Sequence, residues 1–188
     1  MDKIRLFYAL NLTDEVKNVI GNFIDEHKKS IDFVRWIKPD NIHLTLRFLG
    51  DTDTDKLDFL KKVADSLVLD FKKKEFSIEG VGCFPNLRRP RVIWFGITDG
   101  SDYIRSLNKS LNRRLSDVGM SEDVRFFKPH ITVGRTKSIF LSDCFKNVLI
   151  NNKNRHFADS ELESLSLYKS ILTRQGSVYK ELHRSFFL

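Results

Sequence analysis

Residues 38–47 read KPDNIHLTLR, and residues 128–135 read KPHITVGR. Both stretches place a histidine after a Lys-Pro pair and follow it with an aliphatic residue, a threonine and a second aliphatic residue. The two histidines, His43 and His130, are separated by nearly half of the 188-residue chain. A short repeat is weak evidence of duplication on its own, but the residues repeated here, histidine and threonine, are types that can take part in catalysis.

Each stretch has the pattern of a strand with one face on a core. Alternate residues of a strand point to opposite faces, so His43 and Thr45 share a face. His130 and Thr132 share a face for the same reason, while the aliphatic residues between them point the other way. Two such strands packed in pseudo-symmetry would present both histidine–threonine pairs to one groove.

Two histidines on facing strands suit the cleavage of a phosphodiester. One proton must leave the attacking water and another must reach the departing oxygen, on opposite sides of phosphorus in an in-line displacement. Histidine titrates near neutral pH, so one imidazole can act as base and the other as acid. The residues alone leave open which is which. We expect the threonine hydroxyls to donate to phosphate oxygens.

Two arginines near these motifs lie at different distances along the chain from the histidines, one odd and one even. Arg135 lies five residues after His130, so strict alternation places it on the opposite face, and only a bulge near Gly134 would return it to the groove. A returned guanidinium would hold the phosphate or stack on a base. Arg47 lies four residues after His43 and is expected at the solvent-exposed rim of the groove.

Strands and helices are mixed along the chain without strict β-α-β alternation, which favours an α+β fold with two largely antiparallel sheets and helices on their outer faces. The hydrophobic periodicity predicts helices over 13–30, 54–68 and 101–118. The predicted strands are 4–10, 33–37, 42–49, 75–81, 91–97, 130–135, 162–172 and 177–187.

Turn-forming residues set several expected boundaries. Gly50-Asp51 is expected to end the strand at 42–49, and residues 82–90 to form a loop. Ser101 or Asp102 is expected to cap the third helix. The stretch 139–150 is ambiguous and is assigned a short helix.

Composition narrows the class of protein. The net charge of +7 and the pI near 9.4 favour an anionic partner such as RNA, a nucleotide or a phosphate ester. Cys83 and Cys144 lack the number and spacing of a disulfide framework or a metal site, and the chain has no His-Glu-x-x-His motif. No segment resembles a membrane span or a secretory signal. We therefore expect a cytoplasmic protein, without cofactor or metal, that is a monomer.

The two motifs and their surroundings resemble the two-histidine (2H) phosphoesterases, and within them the RNA 2′,3′-cyclic phosphodiesterases, also described as 2′-5′ RNA ligases. A lone His-x-Thr is common by chance, whereas two of them with these flanks are specific. The further segments that carry the resemblance are Arg5-Leu6-Phe7, Phe48-Leu49-Gly50, residues 81–86, residues 89–94 and residues 167–170.

The resemblance implies that residues 1–188 form one domain of two lobes with a groove between two antiparallel sheets. It implies metal-independent hydrolysis of RNA or nucleoside 2′,3′-cyclic phosphate to the 2′-phosphate. His43 would protonate the departing O3′ and His130 would activate water. Thr45, Thr132 and Arg135 would bind the phosphate.

Two alternatives stay open at this point. The first alternative is a 2H phosphoesterase that acts on another substrate, such as ADP-ribose 1″,2″-cyclic phosphate or a 2′-5′ linkage that it cuts or joins. The second is a non-catalytic RNA-binding module. The basic loop over residues 86–91 is equally compatible with an RNA contact and with a solvated turn. His27, His156 and His183 are expected outside the chemistry.

Overall fold

The computed structural model describes residues 2–117, 119–121, 123, 126–137, 142–174 and 176–188. Within these ranges the chain forms two antiparallel sheets and four helices. The strands are β1 (Lys3–Leu10), β2 (Val34–Trp36), β3 (Leu44–Asp53), β4 (Glu75–Phe84), β5 (Val92–Ile97), β6 (His130–Thr136), β7 (His156–Glu161), β8 (Ser164–Thr173) and β9 (Gly176–Phe186). The helices are α1 (Asp14–His27), α2 (Leu57–Leu69), α3 (Ser101–Ser116) and α4 (Asp143–Asn151).

The sheets divide the two motifs between them. One sheet has the strand order β3-β1-β8-β9 and contains the first motif, and the other has the order β2-β6-β5-β4-β7 and contains the second. Helices cover their outer faces: α2 packs on β8 and β9, and Phe23 of α1 contacts Phe95 and Phe157 of the five-stranded sheet. The predicted α+β class with two antiparallel sheets is therefore confirmed.

Both motif strands contain a β-bulge three residues after the histidine. Opposite β1, Tyr8 pairs with Arg47 and Ala9 with Thr45, so Leu46 is an extra residue in β3. Opposite β5, Val133 is likewise extra in β6. A bulge changes which side chains face each side of the sheet. The fifth residue after each histidine therefore faces the space between the sheets.

Some predicted boundaries were wrong because glycine does not end these strands. β3 continues past Gly50 to Asp53, and the positive φ of Gly50 (71°) accompanies another bulge in its pairing with β1. β4 continues to Phe84 instead of ending near 81, because Gly82 lies beneath the ring of Trp94 and needs no side chain.

Other differences concern the helices and the most polar strand. Neither Ser101 nor Asp102 caps α3: Gly100, at φ 74°, occupies the position before the helix, and Ser101 is its first residue. β7 has no hydrophobic alternation that would predict it. The ambiguous stretch 139–150 contains most of α4. Val118, residues 139–141 and Gln175 lie outside the described residues.

No helix in the described ranges is long and apolar enough to cross a membrane.

Gly134 of β6 allows the close approach of β2, and its replacement by alanine should weaken the fold. A Cβ at this position would lie 2.7 Å from Cγ1 of Val34 and 3.2 Å from the ring of Trp36. We expect Gly134→Ala to lower the free energy of unfolding by about 1–3 kcal/mol, as overpacking does, measured by urea denaturation. In the matched control Gly21→Ala, on α1, the nearest atom is 3.9 Å away, and stability should rise by about 0.5–1 kcal/mol. If Gly134→Ala and the parent protein unfolded at the same urea concentration, this packing would be contradicted.

Candidate active site

A cavity of about 370 Å³ lies between the two sheets and is lined by both motifs. His43 and Thr45 reach it from the start of β3, and His130 and Thr132 reach it from β6. Arg135 also lines it, because the bulge at Val133 turns the fifth residue after His130 to the same face of the sheet as His130. All five side chains singled out by the sequence analysis thus share one space, which we call the cleft.

Each histidine is tied to the backbone carbonyl two residues before it. Nδ1 of His43 donates to the oxygen of Asn41 at 2.8 Å, and Nδ1 of His130 donates to the oxygen of Lys128 at 2.7 Å. A carbonyl oxygen only accepts, so in both rings the proton of the neutral form resides on Nδ1. Nε2 is then the nitrogen left for chemistry in both rings.

The Nε2 atom of His43 lies within hydrogen-bonding distance of a threonine hydroxyl. Thr45 lies with Oγ1 3.0 Å from Nε2 of His43, so its hydroxyl donates to that nitrogen while the imidazole is neutral. Protonation of His43 would reverse this bond, because Nε2 would become a donor. The Thr45 hydrogen would then be free for another acceptor in the cleft.

Aromatic side chains hold the ring of His43 in place. Its centroid lies 5.0 Å from that of Phe7, 5.2 Å from Tyr179, which meets it edge-on, and 6.1 Å from Tyr168. Among the described residues His130 has one such neighbour, Phe84, edge-on at 5.0 Å. Sequence reasoning missed these supporting residues, since aromatic side chains on strands are usually core. The signal available was that Phe7, Phe84 and Tyr168 lie in segments that carry the family resemblance, whereas Tyr179 does not.

Burial and positive charge disfavour the protonated form of both histidines. Burial lowers the pKa of His43 to about 4 from its ordinary 6.5, with a smaller lowering by the charge of His130, and the bond to Asn41 opposes this. Burial also lowers the pKa of His130; the carbonyl of Lys128 opposes it, and the charges of Lys128 and Arg135 add to it. Both rings are therefore poised as neutral acceptors before a ligand arrives.

The expectation for Arg47 was wrong. Arg47 is buried with 7% of its surface exposed, and it forms an ion pair with Asp123 at 2.6 Å instead of reaching the rim. The bulge at Leu46 is the cause, because it gives the cleft-facing place to Phe48, which is half exposed. Asn108 of α3 stabilises the bulge by donating to the carbonyl of Leu46 at 2.8 Å.

The remaining histidines of the chain do not line the cleft. His27 is buried and stacks on Phe23, whose carbonyl is 2.8 Å from Nδ1. His156 and His183 form ion pairs elsewhere, with Asp159 and Asp65. These positions agree with the expectation that none of the three takes part in the chemistry.

The basic loop over residues 86–91 contains a hydrogen-bonded turn and is exposed except at Pro90. The side-chain oxygen of Asn86 accepts from the backbone N–H groups of Arg88 and Arg89 at 3.0 and 3.2 Å. Both arginines are exposed. The loop joins β4 to β5 between Phe84 and Val92, which line the cleft, but none of residues 86–91 lines it.

Among the described residues, no group of three or more His, Cys, Asp or Glu side chains is arranged to hold a metal ion.

Solved structures with this architecture include a protein of Thermus thermophilus, with a TM-score of 0.85 and 24% identity over 98% of each chain. LigT of E. coli in complex with 3′-AMP gives a TM-score of 0.76 and 24% identity over 99% of each chain. At this identity the comparison establishes the fold.

Relatives of known name extend the comparison to sequence. The chain is 31% identical to an RNA 2′,3′-cyclic phosphodiesterase of Archaeoglobus fulgidus, over 95% of this chain and 98% of the relative. It is also 31% identical to one of Thermotoga maritima, over 98% of this chain and 96% of the relative. The family model for LigT-like phosphoesterases matches residues 10–94 and 97–179, one motif in each match. The chain therefore belongs to the LigT-like phosphoesterase family.

Proposed function

We propose that this protein hydrolyses RNA ending in a 2′,3′-cyclic phosphate to RNA ending in a 2′-phosphate. The observation that carries the proposal is the pair of imidazoles in one cleft, each with its proton fixed on Nδ1 and Nε2 left for chemistry. Relatives at 31% identity over nearly their full length bear the name RNA 2′,3′-cyclic phosphodiesterase. A single domain of two lobes, with the cleft between them, would carry the whole reaction.

In the proposed mechanism His130 is the base and His43 is the acid. Nε2 of His130 takes a proton from water as the water oxygen forms a bond to phosphorus. The bond from phosphorus to O3′ breaks on the opposite side, and protonated His43 gives its Nε2 proton to O3′. The choice of roles follows the family resemblance, since the two rings have the same tautomer.

The threonines and Arg135 would bind the non-bridging oxygens of the phosphate. When the anionic ester enters, it favours the protonated form of His43. The Thr45 hydrogen is then no longer donated to Nε2 and can be donated to the phosphate. Thr132 lines the same cleft, and Arg135 supplies a planar, permanently charged donor for phosphate oxygens. The same groups could also join RNA through a 2′-5′ bond if a 5′-hydroxyl took the place of the attacking water, gave its proton to His130 and displaced O3′, but bulk water favours hydrolysis.

The substrate class can be tested by comparing turnover of different esters in the presence of a chelator. We expect nucleoside 2′,3′-cyclic phosphates to be hydrolysed to 2′-phosphates at an undiminished rate in EDTA, because the proposed acid and base are both protein side chains. ADP-ribose 1″,2″-cyclic phosphate and a 2′-5′ dinucleotide should be turned over more slowly. A preference for either of these would favour the alternative 2H activity, and loss of turnover in EDTA would contradict the two-histidine mechanism.

Replacing each histidine separates an enzyme from a binding module. We expect His43→Ala and His130→Ala each to lower kcat by about 10²–10⁴-fold, the contribution of one general acid or base. Affinity for a 2′-phosphorylated nucleotide should fall far less. His156→Ala is the matched control, since His156 is exposed and outside the cleft, and its kcat should equal the parent's. A parent protein that binds RNA without turnover would support the non-catalytic alternative.

The titration of His43 should depend on the ligand. In the free protein its imidazole should titrate near pH 4, followed by NMR of the ring protons. A bound 2′-nucleotide should move the midpoint upward, because the phosphate favours the cation. The unfolded chain takes up this proton first, so the folded state should lose stability as pH falls from about 6.5 to about 4. A free-protein midpoint at 6.5 or above, or one that the nucleotide leaves unmoved, would contradict the proton-loading step.

A further inference from the structure

A second groove continues from the cleft along the same face of the five-stranded sheet. Trp94 of β5 pairs with Thr132 of β6, and paired residues lie on one face, so the ring of Trp94 stands beside the cleft. Beyond it lies a groove of about 700 Å³ whose lining is mostly apolar. Lys128 lines both spaces and therefore marks the boundary between them.

Two glycines shape the floor of this groove. A Cβ on Gly82 would lie 2.3–2.9 Å from three atoms of the Trp94 ring, and one on Gly96 would lie 3.4 Å from that ring and 2.6 Å from the carbonyl of Glu79. The missing side chains let the indole lie against the strand. On the groove's sides Leu87 and Ile150 remain 47% and 62% exposed, so both offer apolar surface to a ligand in the groove.

A row of aromatic rings connects the candidate base to the groove. Phe84 lies edge-on to His130 at 5.0 Å, and Trp94 lies 5.1 Å beyond Phe84. Nζ of Lys128 sits 4.1 Å above the centre of the Trp94 ring. Aromatic side chains with adjacent cations are the surface on which proteins stack single-stranded bases.

The charges on the two sides of the cleft favour an RNA strand that leaves the cleft through this groove. Lys128, Lys153 and a single carboxylate, Glu79, line the groove, and Arg88 and Arg89 are exposed on the loop beside it. On the other side of His43 lies a polar cavity with five carboxylates and two cations in its wall. These are Asp14, Glu15, Asp40, Glu163 and Glu181, with Lys17 and Arg184. A phosphate backbone is attracted by the first side and repelled by the second.

We propose that the groove beyond Trp94 binds the nucleotide adjacent to the terminal cyclic-phosphate nucleotide of an RNA strand. The inference rests on the proposed function, because it places the cyclic phosphate between the two histidines. The base of the adjacent nucleotide lies among Trp94, Leu87 and Ile150, and its phosphate lies near Lys128 and Lys153. The site distinguishes an RNA end from a free cyclic mononucleotide.

The test compares a nucleoside 2′,3′-cyclic phosphate with an RNA pentanucleotide that ends in the same cyclic nucleotide. The parent protein should show a higher kcat/KM for the pentanucleotide, and this advantage should shrink as salt rises. The double variant Leu87→Ser/Ile150→Ser and the variant Lys153→Ala change only exposed side chains. Each should lower kcat/KM for the pentanucleotide by about fivefold or more, as expected for a lost apolar or phosphate contact. Turnover of the mononucleotide should stay within about twofold, because the cleft is intact.

Leu69→Ser and Lys62→Ala on α2 are the matched controls, since both side chains are exposed and lie outside the groove. They should leave both substrates unaffected. Equal loss on both substrates, no loss in the groove variants, or no advantage for the pentanucleotide in the parent would overturn the groove while leaving the proposed function intact. A parent that fails on the cyclic mononucleotide would instead refute the proposed function and the groove with it.

Discussion

The geometry of the cleft depends on the same kind of hydrogen bond in both motifs. In each, Nδ1 of the histidine donates to the backbone carbonyl two residues earlier. This bond fixes the tautomer and the orientation of each ring together. The two carbonyls are positioned by different local structures: Asn41 ends a 3-10 turn over Pro39–Asn41, whereas Lys128 precedes the buried Pro129, which restricts its backbone to extended conformations. The geometry of the site is therefore repeated although the backbone that leads into it is not.

The bulges after the two motifs give the halves equivalent positions with different chemistry. Leu46 and Val133 are the extra residues, and the side chains that reach the cleft beyond them are Phe48 and Arg135. One side of the cleft thus ends in an aromatic ring and the other in a permanent cation. The cleft in this way offers an aromatic ring for a planar base and a cation for a phosphate, the two groups that the proposed substrate carries.

Sequence patterns predicted the elements other than β7, and the main cleft residues, because those depend on short-range periodicity and on residue type. The alternation around His43 and His130 placed their faces correctly, and the possibility of a bulge near Gly134 anticipated the position of Arg135. The bulge at Leu46 was not foreseen, since its support comes from Asn108, which is distant in sequence. Tertiary packing likewise explains why Gly82 lies within a strand: the space it leaves is filled by Trp94.

The low pKa of His43 and its proposed role as an acid follow from the same environment. Without ligand, burial and the charges of His130, Lys128 and Arg135 disfavour a second cation in the cleft, so both imidazoles are neutral. A phosphate ester that enters brings one negative charge and makes one imidazolium favourable, while a second would again be repelled. In the proposed mechanism, substrate binding would therefore load a single proton onto one of the two rings, His43, and complete the acid–base pair that the reaction requires. Such a titration belongs to the pair of histidines and to the bound phosphate, because each charge alters the others.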